Sequence, residues 1–328
     1  MASQVMTLAN FTCKFGESLV LLDLFDEVVW PAFERKFIRE YDDVTYQLLG
    51  VTLTKIGSEA VIAGRLVKDM TLTREQVLVN GDIVASPDAM ESAPTSFFVL
   101  SLSNHKLIYV REEAFAPSLS AFRSTILHFL KQSYREWARE LYEDLKGTDE
   151  ELTWAKLREQ WPAPELEVTP ISNDKSIEAY LRSFRSINTV QLQMLNTNHE
   201  IDNRKLFAGL RGLKGRTRAD NVTLKTSKAG DVGLDKAAVA DLVREQANQG
   251  NTGIVISGTN VIGEKQTAKN DELKLSIPIK KLSKKVLEAA HYLFDKLEDQ
   301  IGQGIVKFQK SPAKAISKVA SIIEEREL

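Results

Sequence analysis

Between Asn203 and Gly230 the chain reads NRKLFAGLRGLKGRTRADNVTLKTSKAG, and from Arg204 to Arg218 six of fifteen positions are Lys or Arg with no carboxylate among them. A guanidinium binds phosphate through two parallel hydrogen bonds and an ammonium binds it as a point charge. Arg204, Lys205, Arg211, Lys214, Arg216 and Arg218, followed by Lys225 and Lys228, are therefore candidates to hold a polyanion. Written as a helix from Asn203, the segment puts Leu206, Leu210 and Leu213 on one face and Arg204 and Arg211 on the other. Gly209 and Gly212 would weaken that helix by about 1 kcal/mol each relative to alanine, a cost that suits the close approach of a bulky backbone.

A second group, Lys280, Lys281, Lys284 and Lys285, falls at the predicted start of a helix, the end at which the dipole disfavours cations. Lys307, Lys310, Lys314 and Lys318 make a third, looser group. Any one of these is accounted for by a solvated surface; three in one half of the chain point to a partner. Duplex DNA fits best, because its phosphates repeat regularly and each one neutralised releases a counterion. Six phosphate contacts would give a log–log salt slope of about −5. No base-reading helix is evident, so binding is expected to be independent of sequence. Aromatic residues are not interleaved with the cations, Phe207 apart, which argues against a single-strand stacking platform.

Other chemistries find less support. Glu272-Leu273-Lys274 lies on a predicted strand, where glutamate could ligate Mg²⁺ and lysine could orient a water, as in a DNA-cutting enzyme. Such a site needs a further acid, and between Asp241 and Asp271 the only carboxylates are Glu245, on a predicted helix, and Glu264. A Mg²⁺-dependent nuclease is one alternative reading; a basic adaptor for an acidic protein is another. His105, His128, His199 and His291 lie far apart and lack metal-ligand spacing. There is no phosphate-cradling loop and no nucleophile elbow. No catalytic residue, metal or cofactor is expected, and the protein is not read as an enzyme.

These residues must be carried by ordinary globular elements. The 328 residues are 43% hydrophobic and 27% charged, enough for two domains. The net charge of −2 hides a division: residues 1–165 hold 17 Lys and Arg against 25 Asp and Glu, while residues 166–328 hold 26 against 20. The acidic half would repel DNA and so orient it. Cys13 is the single cysteine, no apolar run nears the ~18 residues of a membrane span, and no secretory signal opens the chain; a cytoplasmic setting is expected.

The segment VLLDLFDEVVWPAFERKF is predicted helical, with a bend or restart at Pro31. Alternating strands follow, with hairpin turns at Asn80-Gly81 and Ser103-Asn104-His105. Phe122, Ile126, Phe129, Leu130, Trp137 and Leu141 then recur at helical spacing after Pro117 and Ser118, predicting a helix of about seven turns that buries a face in its own domain or in a dimer. The polar stretch 147–165 is the expected boundary. The fold class is α+β: two domains with antiparallel sheets flanked by helices, an acidic one over 1–150 and a basic DNA-binding one over 151–328. In the second, ELKLSIPIKKL is a predicted strand, and a final helix carries Ile316, Val319 and Ile323 on one stripe.

Two stretches carry a family resemblance. SFFVLSLSNHKLIYVREEAFAPSLSAFRSTILHFL is a hydrophobic hairpin, a Phe-x-Pro turn and a helix; DNVTLKTSKAGDVG leads through LKLSIPIKKL into the last helical region. In this order of elements the chain resembles the RexA phage exclusion proteins, with RdgC-like and KwaB-like DNA-binding proteins as relatives. The resemblance implies an intracellular sensor of a phage exclusion or abortive infection system, one that binds double-stranded DNA nonspecifically. It also implies a homodimer and a membrane channel partner like RexB.

Overall fold

A computed structural model describes residues 4–147, 151–172, 174–194, 209, 212–213, 216–217, 219, 222–247, 252–304, 306, 311 and 313–327. Its strands form two antiparallel sheets, as the α+β reading expects.

The larger sheet has ten strands. Its main path runs β14 (Ser276–Ile279), β1 (Gln4–Phe15), β8 (Lys106–Arg111), β7 (Thr95–Ser101), β5 (Glu59–Val79), β4 (Val44–Ile56), β3 (Ile38–Tyr41). β2 (Leu19–Val20) and β9 (Pro164–Pro170) also pair with β1, and β6 (Asp82–Ser92) pairs with the far end of β5. β1 is the hinge of the topology: β8 lies along one edge, and β14 and then β9 along the other. The expected boundary at 147–165 is thus crossed by the sheet, which takes strands from both sides of it.

Period-2 alternation sends successive side chains to opposite faces, and here both faces are covered. Phe98, Leu100, Leu107, Tyr109 and Ile62 join one core. Phe97, Val99, Ile108, Val110 and Val61 join the other. Continuous apolar runs such as Phe97-Phe98-Val99-Leu100 are what a doubly covered strand requires. Helix α2 (Leu119–Lys146) closes the first face with Phe122, Ile126, Phe129 and Leu130. The expected long helix is therefore present, and its apolar face is spent on its own core. Ser118 caps it, its hydroxyl accepting the Ala121 N–H.

Before β3 the chain makes a short 3-10 turn and a wide turn over 21–29, then restarts as α1 (Trp30–Glu34) with Pro31 in the first turn. At the β5–β6 turn Asn80 and Gly81 both take positive φ, 52° and 93°, as a tight hairpin of this kind needs. The next helices in the chain are α3 (Trp154–Gln160), α4 (Asp174–Leu181), α5 (Lys236–Ala247) and α6 (Asn270–Leu273). Two more, α7 (Val286–Gly302) and α8 (Ala313–Glu325), return to the large sheet. The α7 side chains Ala289, Ala290, Leu293 and Leu297 cover the second face. On α8 the buried stripe is Ala315, Val319 and Ile322; Ile316 is exposed and Ile323 only partly buried, so the expected stripe is rotated by about one residue.

The smaller sheet has the order β11 (Val222–Ser227), β10 (Phe184–Met194), β12 (Thr252–Asn260), β13 (Lys265–Lys269).

Candidate functional site

The small sheet is covered on one face. Val190, Leu192, Ile254, Ile256 and Ala268 point into a core closed by Ile177 and Leu181 of α4 and by Val239, Ala240 and Val243 of α5. Alternation fixes what the other face presents. Lys225 lies opposite Gln191, Gln191 opposite Val255, and Val255 opposite Lys269. These four residues form a row across the sheet with a lysine at each end. The neighbouring row is Ser227, Thr189, Ser257 and Thr267, all hydroxyls, with Ser257 and Thr267 hydrogen-bonded at 3.1 Å. Lys265, opposite Thr259, extends the cationic edge along β13. None of the four strands contains a carboxylate, while Arg185, Lys225, Lys265 and Lys269 are all exposed.

The local sequence explains why the surface holds its shape. Gly258 sits where a Cβ would fall 2.1 Å from the Ser186 carbonyl oxygen, so only glycine lets β12 approach β10 beside its two bulges. After β11 the backbone is tied to β10: the Lys228 N–H donates to the Asn188 carbonyl, and the Asn188 amide donates to the carbonyls of Lys228 and Gly230. Lys228 is exposed at this fixed exit.

Of the residues singled out by sequence, Arg204, Lys205, Arg211, Lys214 and Arg218 lie outside the described residues, as do Leu206 and Leu210. They belong to the connection between β10 and β11. Arg216 is exposed, with its Nε donating to the Gly212 carbonyl. Leu213 is 42% exposed, so the expected docking of a leucine face onto the core does not hold at that position.

The lysines of the second cluster are placed differently from expectation. α7 begins only at Val286, with Lys285 as its N-cap. Lys280, Lys281 and Lys284 stand on the segment before it, because Arg65 holds that backbone in place. The Arg65 guanidinium donates to the carbonyls of Ser283 (2.8 Å) and Lys284 (2.9 Å) while pairing with Glu112 at 2.9 Å. Glu112 in turn accepts from the Thr95 hydroxyl, and the Arg65 guanidinium lies over the Phe97 ring. Lys285 pairs with Glu288, whose carboxylate raises its pKa. Lys314 and Lys318 both pair with Asp23. Burial pushes the Asp23 carboxyl up, but hydrogen bonds from Lys318 and the Val20 N–H, with the charges of both lysines, leave it below its ordinary value. The clustered cations of the second half thus split between two sheets, and among the described ones Lys285, Lys314 and Lys318 are answered by carboxylates of their own chain.

Glu272 does not lie on a strand. It belongs to α6 and its carboxylate accepts the Lys269 N–H as a cap; the strand predicted from Glu272 onward starts at Ser276. The leucine alternation of LKLSI mimicked a strand, whereas Leu273 closes the small-sheet core and Leu275 the large-sheet one. Among the described residues no three His, Cys, Asp or Glu side chains are grouped as a metal site would need. His128 and His291 are exposed on their helices and His105 is buried in its turn. Burial, with Arg39 and Arg135 nearby, lowers the His128 pKa. A cleft of about 580 Å³ opens by the start of α2; Arg111, Lys274, Glu113 and Asp271, of both signs, line it. No helix among the described residues is long and apolar enough to cross a membrane.

No protein-family model matches the chain, and no curated protein matches it.

Lys265, Lys269 and Arg185 did not stand out in the sequence. The signal that could have found them is the absence of carboxylates from every strand between residues 184 and 194, 222 and 227, 252 and 260, and 265 and 269.

Proposed function

We propose that the bare face of the small sheet binds the sugar-phosphate backbone of double-stranded DNA without sequence preference. One observation carries this: a sheet face of hydroxyls, amides and lysines, interrupted by Val255, with no carboxylate on any of its strands. Lysine supplies charge to phosphate, and Ser, Thr and Gln side chains supply the neutral hydrogen bonds that position a backbone without reading bases. The rows across this face hold no aromatic ring, so bases have nothing to stack on, which favours a duplex over a single strand.

Arg216 and the basic residues of the β10–β11 connection are taken to add to the same contact, since that connection leads into β11, the edge strand that carries Lys225. Lys280, Lys281 and Lys284, on the large sheet, are left out of it. The resemblance to RexA extends the reading to a homodimeric intracellular sensor in a phage exclusion system, acting through a membrane channel partner.

An electrophoretic titration with two unrelated duplexes tests the proposal. Both should shift at the same protein concentration, and the affinity should fall with salt. Four phosphates neutralised by Lys225, Lys228, Lys265 and Lys269 give a log–log slope of about −3.6, steeper by about 0.9 for each further contact. Plasmid incubated with the protein and Mg²⁺ should remain intact. Failure to shift either duplex at low salt would remove the reading.

A further inference from the structure

The far half of β5 and all of β6 leave the large sheet as a two-stranded ribbon. Met70 pairs with Ser92 and Val79 with Asp82, and no other described strand pairs with this part of β5. Ten residues at about 3.3 Å each make an arm of about 33 Å. A lone two-stranded ribbon is marginal in water, and this one also exposes Leu78 (74%), Ile83 (71%), Met90 (61%), Val79 and Val84. Such a display of large apolar side chains on a projecting element marks a contact surface. Its charge selects the partner. Between Met70 and Ser92 there are four carboxylates, Glu75, Asp82, Asp88 and Glu91, against Arg74 alone, and Arg74 is already paired with Asp88. A phosphate backbone would be repelled.

The complementary surface is on the same chain. Lys280, Lys281 and Lys284 are exposed and form no ion pair among the described residues. Leu287 (49%) and Leu49 (59%) are exposed close by. Leu49 lies opposite Arg65 in the β4–β5 ladder, and so shares the face on which Arg65 holds the carbonyls of Ser283 and Lys284. This cationic, partly apolar patch sits at the root of the arm, since Arg65 precedes Met70 by only five residues along β5.

We infer that the arm docks on the Lys280–Lys284 patch of a second copy of this chain, and that the second copy returns its arm to the first. Because patch and root adjoin, two arms lying antiparallel about a two-fold axis bring each tip to the other's root. The contact is closed and satisfies both surfaces at once. Like-charged tips never meet in this arrangement, as they would tip to tip. This dimer rests on the homodimer reading above and names the surfaces that meet; it gives these lysines a protein occupant and does not depend on the small sheet binding DNA.

Sedimentation velocity on two variants tests it. The arm variant carries Leu78→Asp and Ile83→Asp; the patch variant carries Lys280→Glu, Lys281→Glu and Lys284→Glu. All five side chains are exposed, so the folds should persist. The full-length protein is expected to be a dimer at micromolar concentration, and each variant alone to dissociate at least tenfold more readily. Mixed, the two should recover a dimer holding one of each, through the one intact arm and the one intact patch. A third variant removes residues 74–88 and closes Thr73 to Ala89, which already face each other in the ladder, with Asn-Gly; it too should be monomeric. A monomeric parent, variants that dimerise as the parent does, or a mixture that stays monomeric would each overturn the inference. A duplex shift run on the parent and the arm variant keeps the DNA reading separate: binding by an arm variant that has lost dimerisation supports both readings, and a parent that dimerises as expected but shifts no duplex removes only the DNA reading.

Discussion

The large sheet is apolar on both faces, closed by α1, α2 and α8 on one side and α7 on the other; the small sheet is closed on one side and carries lysines, hydroxyls and amides on the other. Both are antiparallel and both use the same alternation. The difference lies in the second set of alternate positions. In β7 and β8 these include Val, Ile and Phe, whereas in β10 to β13 they are mostly Thr, Gln, Ser and Lys, with Gly253 and Val255 on β12. A strand that buries both faces contributes stability and has no surface left for a partner. A strand that buries one face can spend the other on recognition. The contrast in this molecule follows the sheets, whereas the charge imbalance suggests a division between halves of the chain.

Substitutions can break each side of that contrast separately. The largest effect is expected in the doubly covered sheet. Phe98 is fully buried and stands in a chain of rings, 5.9 Å from Phe33 and 5.1 Å from Phe122. Phe98→Ala should cost about 3–5 kcal/mol in urea unfolding, while the intact fraction binds DNA as before. Gly258→Ala should be next. Its Cβ would meet backbone rather than a movable side chain, so β10 and β12 must separate, at about 1–3 kcal/mol. Here DNA affinity should fall as well, because the rows of the bare face depend on that pairing.

A smaller effect is expected at the α8 clamp. The Asp23 carboxyl is held below its ordinary value of 3.8, so its pairs with Lys314 and Lys318 stabilise the fold above that pH and are lost as pH falls through the lowered value. Asp23→Asn should therefore be less stable than the parent at neutral pH and should lose less stability below about pH 4, as measured by acid unfolding curves. The mildest test leaves the sequence alone. Burial pushes the Cys13 thiol up to about 12, so a thiol reagent at pH 8 should label the protein only when it unfolds. DNA binding by reagent-treated native protein should be unchanged.

Local signals were legible in the sequence. The α2 stripe, its Ser118 cap and the Asn80-Gly81 turn each lie within a few residues and act through short-range geometry. What could not be read depended on distance along the chain. β14, from Ser276, pairs with β1, which starts at Gln4, and nothing in SIPI names so distant a partner. The helical apolar spacing that follows Lys280 to Lys284 implies a helix there, but Arg65, more than 200 residues earlier, holds that backbone outside α7. The acid-free face was invisible for the same reason. Its residues are spread over alternate positions between 184 and 269, and only the register brings Lys225, Gln191, Val255 and Lys269 into one row. Arg204–Arg218 is dense along the chain and so evident in the sequence, whereas charge sorted by alternation leaves no local trace.

The most direct test removes the row's cations while leaving the fold alone. Lys225→Gln, Lys265→Gln and Lys269→Gln together alter only exposed side chains. Affinity for a random-sequence duplex should be followed by fluorescence anisotropy across a salt series, for parent and triple variant. The account predicts weaker binding by the variant and a log–log slope shallower by about 2.7, one counterion term for each lysine lost. A variant that binds with the parent's affinity and slope would contradict it.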